Sequence, residues 1–463
     1  MERPTRVHRA TVLFVTIALA TSLIAAACGG GRSESSTSTT AKSSGGSSNS
    51  FGDLASPCGK GTASGATARG VTDTSITIGY GDDAGYSAAP GLNREQSDAM
   101  KAVIEWCNDQ GGINGRQIVG KYYDAKVTEV NNVMTEACTQ VFMLVGQGWV
   151  FDSGQEQIRM GCKLASVPAW STSPAFANGE LMYQPAPNPV DVATIEQAYA
   201  MAEKFPDEVK KAATFYANYP ATKDPTMKMV AAYEQAGWNF LDCDQQYGIA
   251  GEANWRPFVQ RLKDCGAEIV YFAGSPNPNF ENVLDAAKSI DFDPIWALEP
   301  NFYDTNFAEW NTSGLADKVY VKMTATPYEA ATAGSATQLY LDLVKAQGGA
   351  TGLLGSQAMS AFLLWASAVQ ECGSTVTNDC VLEKLSQVHE WTGGGLQSAA
   401  DPGANMPTNC GLVLKMNGTS YEQFYPETLG EFDCSPKYVV KVTGDAVTAA
   451  NLDANRIAHP AGN

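Results

Sequence analysis

The chain has 463 residues, 44% of them apolar, enough for two or three domains with large cores. Its formal charge of −18, with no basic run beyond the extreme N-terminus, argues against nucleic acid as a partner, because that contact draws on clustered Lys and Arg. Of three histidines, His8 and His459 lie near the termini, so a His-rich metal site or a Ser-His-Asp triad would have to use His389 alone; a lone His near a helix end is ordinarily structural.

Residues 1–27 read as an export signal. Arg3, Arg6 and Arg9 form a basic start. Residues 11–27 are uncharged and mostly Val, Leu, Ile and Ala, and they end in Ala25-Ala26-Ala27 before Cys28. Leu23-Ile24-Ala25-Ala26-Ala27-Cys28 resembles a bacterial lipobox, with Ala25 where Leu is usual. The resemblance implies cleavage before Cys28, acylation of its sulfur, and anchorage at the extracellular face of the bacterial cell membrane. The alternative is an uncleaved anchor, for which the run is slightly short of the ~20 residues a bilayer core needs. Residues 28–70 are expected to be a flexible tether. The part from 29 to 50 is Gly, Ser and Thr and has too little apolar surface to order itself.

The ordered body is expected from about Val71. Residues 75–79 alternate like a strand, and Met100, Val103, Ile104 and Cys107 form an amphipathic helical stripe stopped by Gly111-Gly112. A strand at 117–123, a helix carrying Val130, Val133, Met134, Ala137 and Val141, and short strands at 143–145 and 166–170 follow. Strands are predicted at 212–217, 239–242, 268–273, 295–298 and 319–323, with helices at 226–236, 255–264 and 282–290. Strands alternating with helices of ten or more residues mean βαβ units around parallel sheets. Helices dominate 335–391, and the apolar run 357–370 reads as buried. Runs at 412–416 and 420–425 are joined by Asn417-Gly418, a hairpin signal. The tail from 444 to 463 is small and polar and is expected to fray. The chain therefore reads as α/β, with two doubly wound parallel-sheet lobes and a crevice at the strands' carboxyl ends.

Eleven cysteines leave ten if Cys28 carries lipid. An even number in an exported chain suggests disulfides, without giving their connectivity. No CxxC pair points to a metal.

Gly111-Gly112-Ile113-Asn114-Gly115-Arg116 followed by Tyr122-Tyr123-Asp124, behind an amphipathic helix, resembles the branched-chain amino-acid-binding proteins of ABC importers, which have the type I periplasmic-binding-protein fold. The likeness spans about 71–440. It implies an N-terminal lobe of 71–187 plus 324–405 and a C-terminal lobe of 188–323 plus 406–443, joined by a multi-crossing hinge, with first-lobe sheet order 2-1-3-4-5. It also implies the pairs Cys58 with Cys107, Cys138 with Cys162, Cys243 with Cys265, Cys372 with Cys380, and Cys410 with Cys434. The expected partners are a small solute and the ABC permease and ATPase subunits, bound by a monomer that needs no cofactor or metal.

The same resemblance implies the site. Ser153-Gly154-Gln155-Glu156 is a capping-box pattern, and Ser171-Thr172-Ser173-Pro174 places hydroxyls at a helix start, where a carboxylate is favoured. Ordinary helix capping is the alternative for both. Glu299 falls where the family pairs a ligand ammonium, and Tyr219 lies in a loop that gives an aromatic contact. The chain departs from its relatives at Gly146-Gln147-Gly148-Trp149-Val150-Phe151-Asp152 and at Ser275, and Trp149, Asp152 and Ser275 are expected to meet the ligand in place of the usual residues. Trp149, Trp170 and Trp296 stand at strand ends and suggest a more aromatic pocket than leucine needs. The expected action is capture of a small molecule, an amino acid or a related carboxylate or amide, on the first lobe through Ser153, Thr172 and nearby N–H groups, then closure of the second. A sensor for a membrane receptor, or a binder of an aromatic or hydrophobic nutrient, is the alternative. An enzyme is disfavoured: there is no GxSxG, HExxH or Walker A lysine motif, and Gly79, Gly81 and Gly85 have the wrong spacing for a dinucleotide loop.

Overall fold

The computed structural model describes residues 50–444 together with 451, 452 and 457–459. The expected signal sequence, Cys28, the tether up to residue 49 and much of the tail lie outside the described residues. In the tail, Asn451–Leu452 pairs antiparallel with Ala458–His459.

Residues 50–70, expected in the tether, instead sit on the body. Strands β1 (Ser50–Phe51) and β2 (Leu54–Ala55) form a small ribbon. Phe51 is fully buried with its ring edge-on to Trp106, and Asp53 donates its N–H to the Gly394 carbonyl at 2.9 Å. One aromatic and one cysteine anchor a segment whose composition otherwise reads as a linker.

The first lobe runs β3 (Ser75–Asp82), α1 (Arg94–Asp109), β4 (Gln117–Asp124), α2 (Val130–Gln140), β5 (Leu144–Val145), α3 (Glu156–Gly161), β6 (Ser166–Val167) and α4 (Pro174–Ala177). Its sheet is parallel in the order β4-β3-β5-β6. The expected fifth strand is reduced to a single bridge between Ser166 and Met182. Pro185 and Pro187 follow, and neither can donate to a ladder.

The second lobe runs β7 (Val192–Thr194), α5 (Glu196–Lys204), β8 (Ala212–Ala217), α6 (Pro220–Tyr233), β9 (Gln245–Tyr247), α7 (Arg256–Asp264), β10 (Ile269–Ala273), α8 (Glu281–Ser289), β11 (Ile295–Leu298), α9 (Thr305–Trp310) and β12 (Val319–Met323). Here the parallel order β9-β8-β10-β11-β12 is complete. The strand expected at 239–242 is a single bridge from Phe240 to Ala212; the ladder resumes at Gln245 after an irregular turn through Cys243. Helix α6 starts earlier than expected, because Pro220 occupies its first position, where a missing N–H costs nothing.

The chain then returns to the first lobe as α10 (Ala336–Ala346), α11 (Leu353–Cys372) and α12 (Asn378–Leu385). Helix α11 is apolar nearly all round and lies in the first-lobe core beside α1. No helix among the described residues is long and apolar enough to cross a membrane. Strands β13 (Cys410–Asn417) and β14 (Ser420–Tyr425) extend the second sheet antiparallel, followed by β15 (Asp433–Cys434) and β16 (Val439–Lys441).

Three connections thus pass between the lobes, and they are laced together. β7 pairs with β16, Thr326 N–H donates to the Leu396 carbonyl at 2.9 Å, and Thr194 Oγ1 donates to the Thr408 carbonyl at 2.6 Å. The five cysteine pairs named above have their sulfurs 2.02–2.10 Å apart.

Candidate functional site: the cleft between the lobes

A cavity of about 710 Å³ opens between the carboxyl ends of the two sheets, the position that parallel βαβ topology leaves for a ligand. The first-lobe wall is the start of α1, the turn after β6, and the first turns of α11. The second-lobe wall is the start of α6 and the segments following β10, β11 and β12.

On the first wall, Trp170, Ser171 and Thr172 face the cavity. Trp170 lies against Gly148 so closely that a Cβ there would come within 2.1 Å of its Nε1, which donates instead to Gln96 Oε1 at 3.0 Å. Ser171 Oγ donates to Gln184 Oε1 at 2.5 Å. Asp152 corrects the expectation of a ligand contact: it is 1% exposed and off the wall. Its carboxylate accepts from Thr172 N at 2.7 Å and from Ser173 N at 3.0 and 3.2 Å. Burial pushes this carboxyl up to about 6 despite those bonds.

Four more residues expected at the cleft lie elsewhere. Ser153 is exposed and makes no capping bond, because a 3₁₀ turn over Asp152–Gln155 precedes α3 and displaces the capping geometry. Ser173 is consumed as the N-cap of α4, accepting from Phe176 N at 3.2 Å. Trp149 is buried in a satellite core with Tyr123, Met134 and Leu164. Trp296 is likewise core, packed edge-on to Phe280.

On the second wall, Tyr219, Ser275 and Glu299 all face the cavity. Tyr219 meets Phe151 of the other lobe, ring centroids 5.9 Å apart, and burial pushes its phenol well above the usual range. Ser275 Oγ accepts from Asn279 Nδ2 at 3.2 Å. Glu299 is not vacant: its Oε1 accepts from Lys322 Nζ at 2.9 Å and from the Tyr271 hydroxyl. Behind them Glu196 is buried without a hydrogen-bond partner, and desolvation holds its carboxyl well above the ordinary range.

Sequence reasoning missed Lys322, Tyr271, Lys228, Glu95 and Asp304, all on the cavity wall. The signal for Lys322 was present: it is the one charge in the apolar strand Val319–Met323. Lys228 Nζ donates to Asn188 Oδ1 at 2.8 Å and to the Pro189 carbonyl at 2.6 Å, bracing a crossing segment. Burial, then the nearby charge of Asp304 across the cleft, pushes Glu95 up to about 8. At that rim the lobes touch: Asp304 bridges Gly352, and Leu353 N donates to the Tyr303 carbonyl at 3.3 Å. Among the described residues no cluster of three metal-ligating side chains occurs.

Two hinged α/β lobes with one cleft between them define a solute-receptor architecture. The periplasmic binding protein family matches residues 75–420, and the chain belongs to it. No curated protein matches in sequence. Among solved structures, it is similar to the branched-chain amino acid transporter substrate-binding protein LivJ of Streptococcus pneumoniae in complex with isoleucine (16% identity, 80% of this chain and 100% of that one, TM-score 0.61). It is also similar to a fatty acid ABC transporter substrate-binding protein of Thermomonospora curvata (13%, 80% and 95%, 0.66). A third is an ABC-transporter solute-binding protein of Rhodopseudomonas palustris in complex with 3,4-dihydroxybenzoic acid (13%, 76% and 96%, 0.62). At these identities the likeness establishes the fold.

Proposed function

We propose that the chain is the solute-capturing receptor of an ABC importer, held by a lipidated Cys28 at the outer face of the cell membrane, with its five cysteine pairs oxidised. The lobes are 71–187 plus 324–405 and 188–323 plus 406–443. The observation that carries this reading is the large cleft lined by both lobes, spanned by three laced crossings. Such a hinge lets the lobes close on a ligand whose contacts exist only in the closed state. Trp170, Ser171 and Thr172 would meet the solute from the first lobe, and Tyr219, Ser275, Glu299 and Lys322 from the second. The closed form would dock on a permease, and the solute would leave unaltered. A thermal-shift screen against small carboxylates, amides, amino acids and aromatic acids tests this. A true ligand binds only the folded state and raises the melting temperature. Chemical turnover of a bound compound, or no shift with any compound, would overturn it. Cys28→Ser should release the protein from membranes into the medium.

A further inference from the structure

Resting on that receptor reading, we propose that the cleft takes an uncharged amphipathic solute whose polar head presents a hydrogen-bond donor and acceptor side by side, a carboxamide being the simplest, and that it rejects free amino acids. A zwitterion leaving water needs an uncompensated acid for its ammonium and uncompensated donors for its carboxylate. The cleft's best candidates for both are already occupied from within the chain. The N–H groups of Thr172 and Ser173, at the start of α4, hold the Asp152 carboxylate at 2.7–3.2 Å. Glu299 holds the Lys322 ammonium at 2.9 Å. Of the other charged groups on the wall, Arg94 pairs with Asp98 at 3.1 Å, Lys228 donates to Asn188 and to the Pro189 carbonyl, and Asp304 accepts from the Phe307 N–H at 2.8 Å and from Asn277 Nδ2 at 3.2 Å, while burial raises Glu95 to about 8 and so disfavours its charge at neutral pH.

What remains open is the Lys322–Glu299 pair itself, which faces the cavity. Both bonds to Glu299 fall on Oε1, leaving Oε2 as an acceptor next to the remaining N–H donors of Lys322. A carboxamide satisfies both at once, its carbonyl accepting from Nζ and its NH₂ donating to Oε2. A ligand carboxylate would meet the charge of Glu299, and a ligand ammonium that of Lys322. Around this polar spot the wall is apolar, with Val192, Ala193 and Met229 on one side and Leu353 and Leu354 across the cleft.

The test is calorimetric titration of the full mature chain with two matched series: 4-methylpentanamide, 4-methylpentanoate and leucine, and 3-phenylpropanamide, 3-phenylpropanoate and phenylalanine. The amide of at least one series should bind at least tenfold more tightly than its acid and its amino acid. Lys322→Met removes the donor and frees Glu299, so the amide should weaken about tenfold while 3-phenylpropylamine strengthens as much. Glu299→Gln should reverse the sign, strengthening 3-phenylpropanoate; if one variant does not fold, the other reads the same swap. Tightest binding of an amino acid by the wild type would overturn the inference and leave the receptor reading standing. If all six fail and a wider library yields a ligand, a neutral one supports the inference and a charged one overturns it. If nothing in that library binds, the receptor reading fails and the inference with it.

Discussion

The two walls of the cleft solve one problem in opposite ways. Each holds a carboxylate against hydrogen-bond donors of the chain. Asp152, behind the first wall, is sealed, 1% exposed and seated on backbone N–H groups. Glu299 on the second keeps 23% of its side chain exposed, and its partner Lys322 keeps 12%. A sealed carboxylate can only brace the loop that carries Ser171 and Thr172. An open ion pair can also read a ligand. Burial, not residue type, separates scaffold from recognition here.

Asp152→Ala should give the largest effect. It leaves the buried Ser173 N–H and the half-buried Thr172 N–H unpaired, and the loss should reach about 3 kcal/mol of stability by urea unfolding. A loss well under 1 kcal/mol would break the contrast by showing that water replaces the brace. Glu299→Ala should be milder, about 2 kcal/mol, because its stranded Lys322 can still reach solvent through the cleft. A loss equal to that of Asp152→Ala would mean that the second wall is as structural as the first.

Glu95 sharpens the comparison through pH. Desolvation, reinforced by Asp304 and then by Asp82 and Asp98, raises it from 4.5 to about 8, so the folded state binds its proton more tightly than the unfolded chain. The stability this contributes is complete below pH 4.5 and is lost as pH rises towards 8. Between pH 6 and 8 the protein should therefore weaken by about 1 kcal/mol per pH unit. Glu95→Gln should flatten that slope when melting temperatures are compared at the two pH values. An unchanged slope would place the proton on another group.

Much of this fold was legible because its signals are local. Strands 212–217, 295–298, 319–323 and 420–425 match residue for residue, and the Asn417-Gly418 turn joins the expected hairpin, whose first strand runs Cys410–Asn417 and not 412–416, since buried strands and tight turns announce themselves in composition. The ribbon at Ser50–Ala55 was not legible, because its order depends on Trp106 and Cys107, half a lobe away in sequence. At the site, Trp170, Ser171, Thr172, Tyr219, Ser275 and Glu299, singled out through the family resemblance, all line the cleft. Asp152 and Lys322 were misjudged or missed for one reason: whether a charged group is free depends on its partner, and Lys322 lies 23 residues from Glu299 on a neighbouring strand.

Ser153 is the smallest and cleanest check. The capping pattern that singled it out is present in sequence, yet the 3₁₀ turn leaves its hydroxyl in solvent and off the cavity wall. Ser153→Ala should therefore change stability by less than about 0.5 kcal/mol and leave solute affinity unaltered, as surface substitutions generally do. Thr172→Ala alters a residue that does line the cavity and so serves as the matched control. Should Ser153→Ala weaken binding as much as Thr172→Ala, the closed, liganded lobe must rebuild the turn into a true helix start. The turn that carries Ser153 would then join Trp170, Ser171 and Thr172 in the recognition surface.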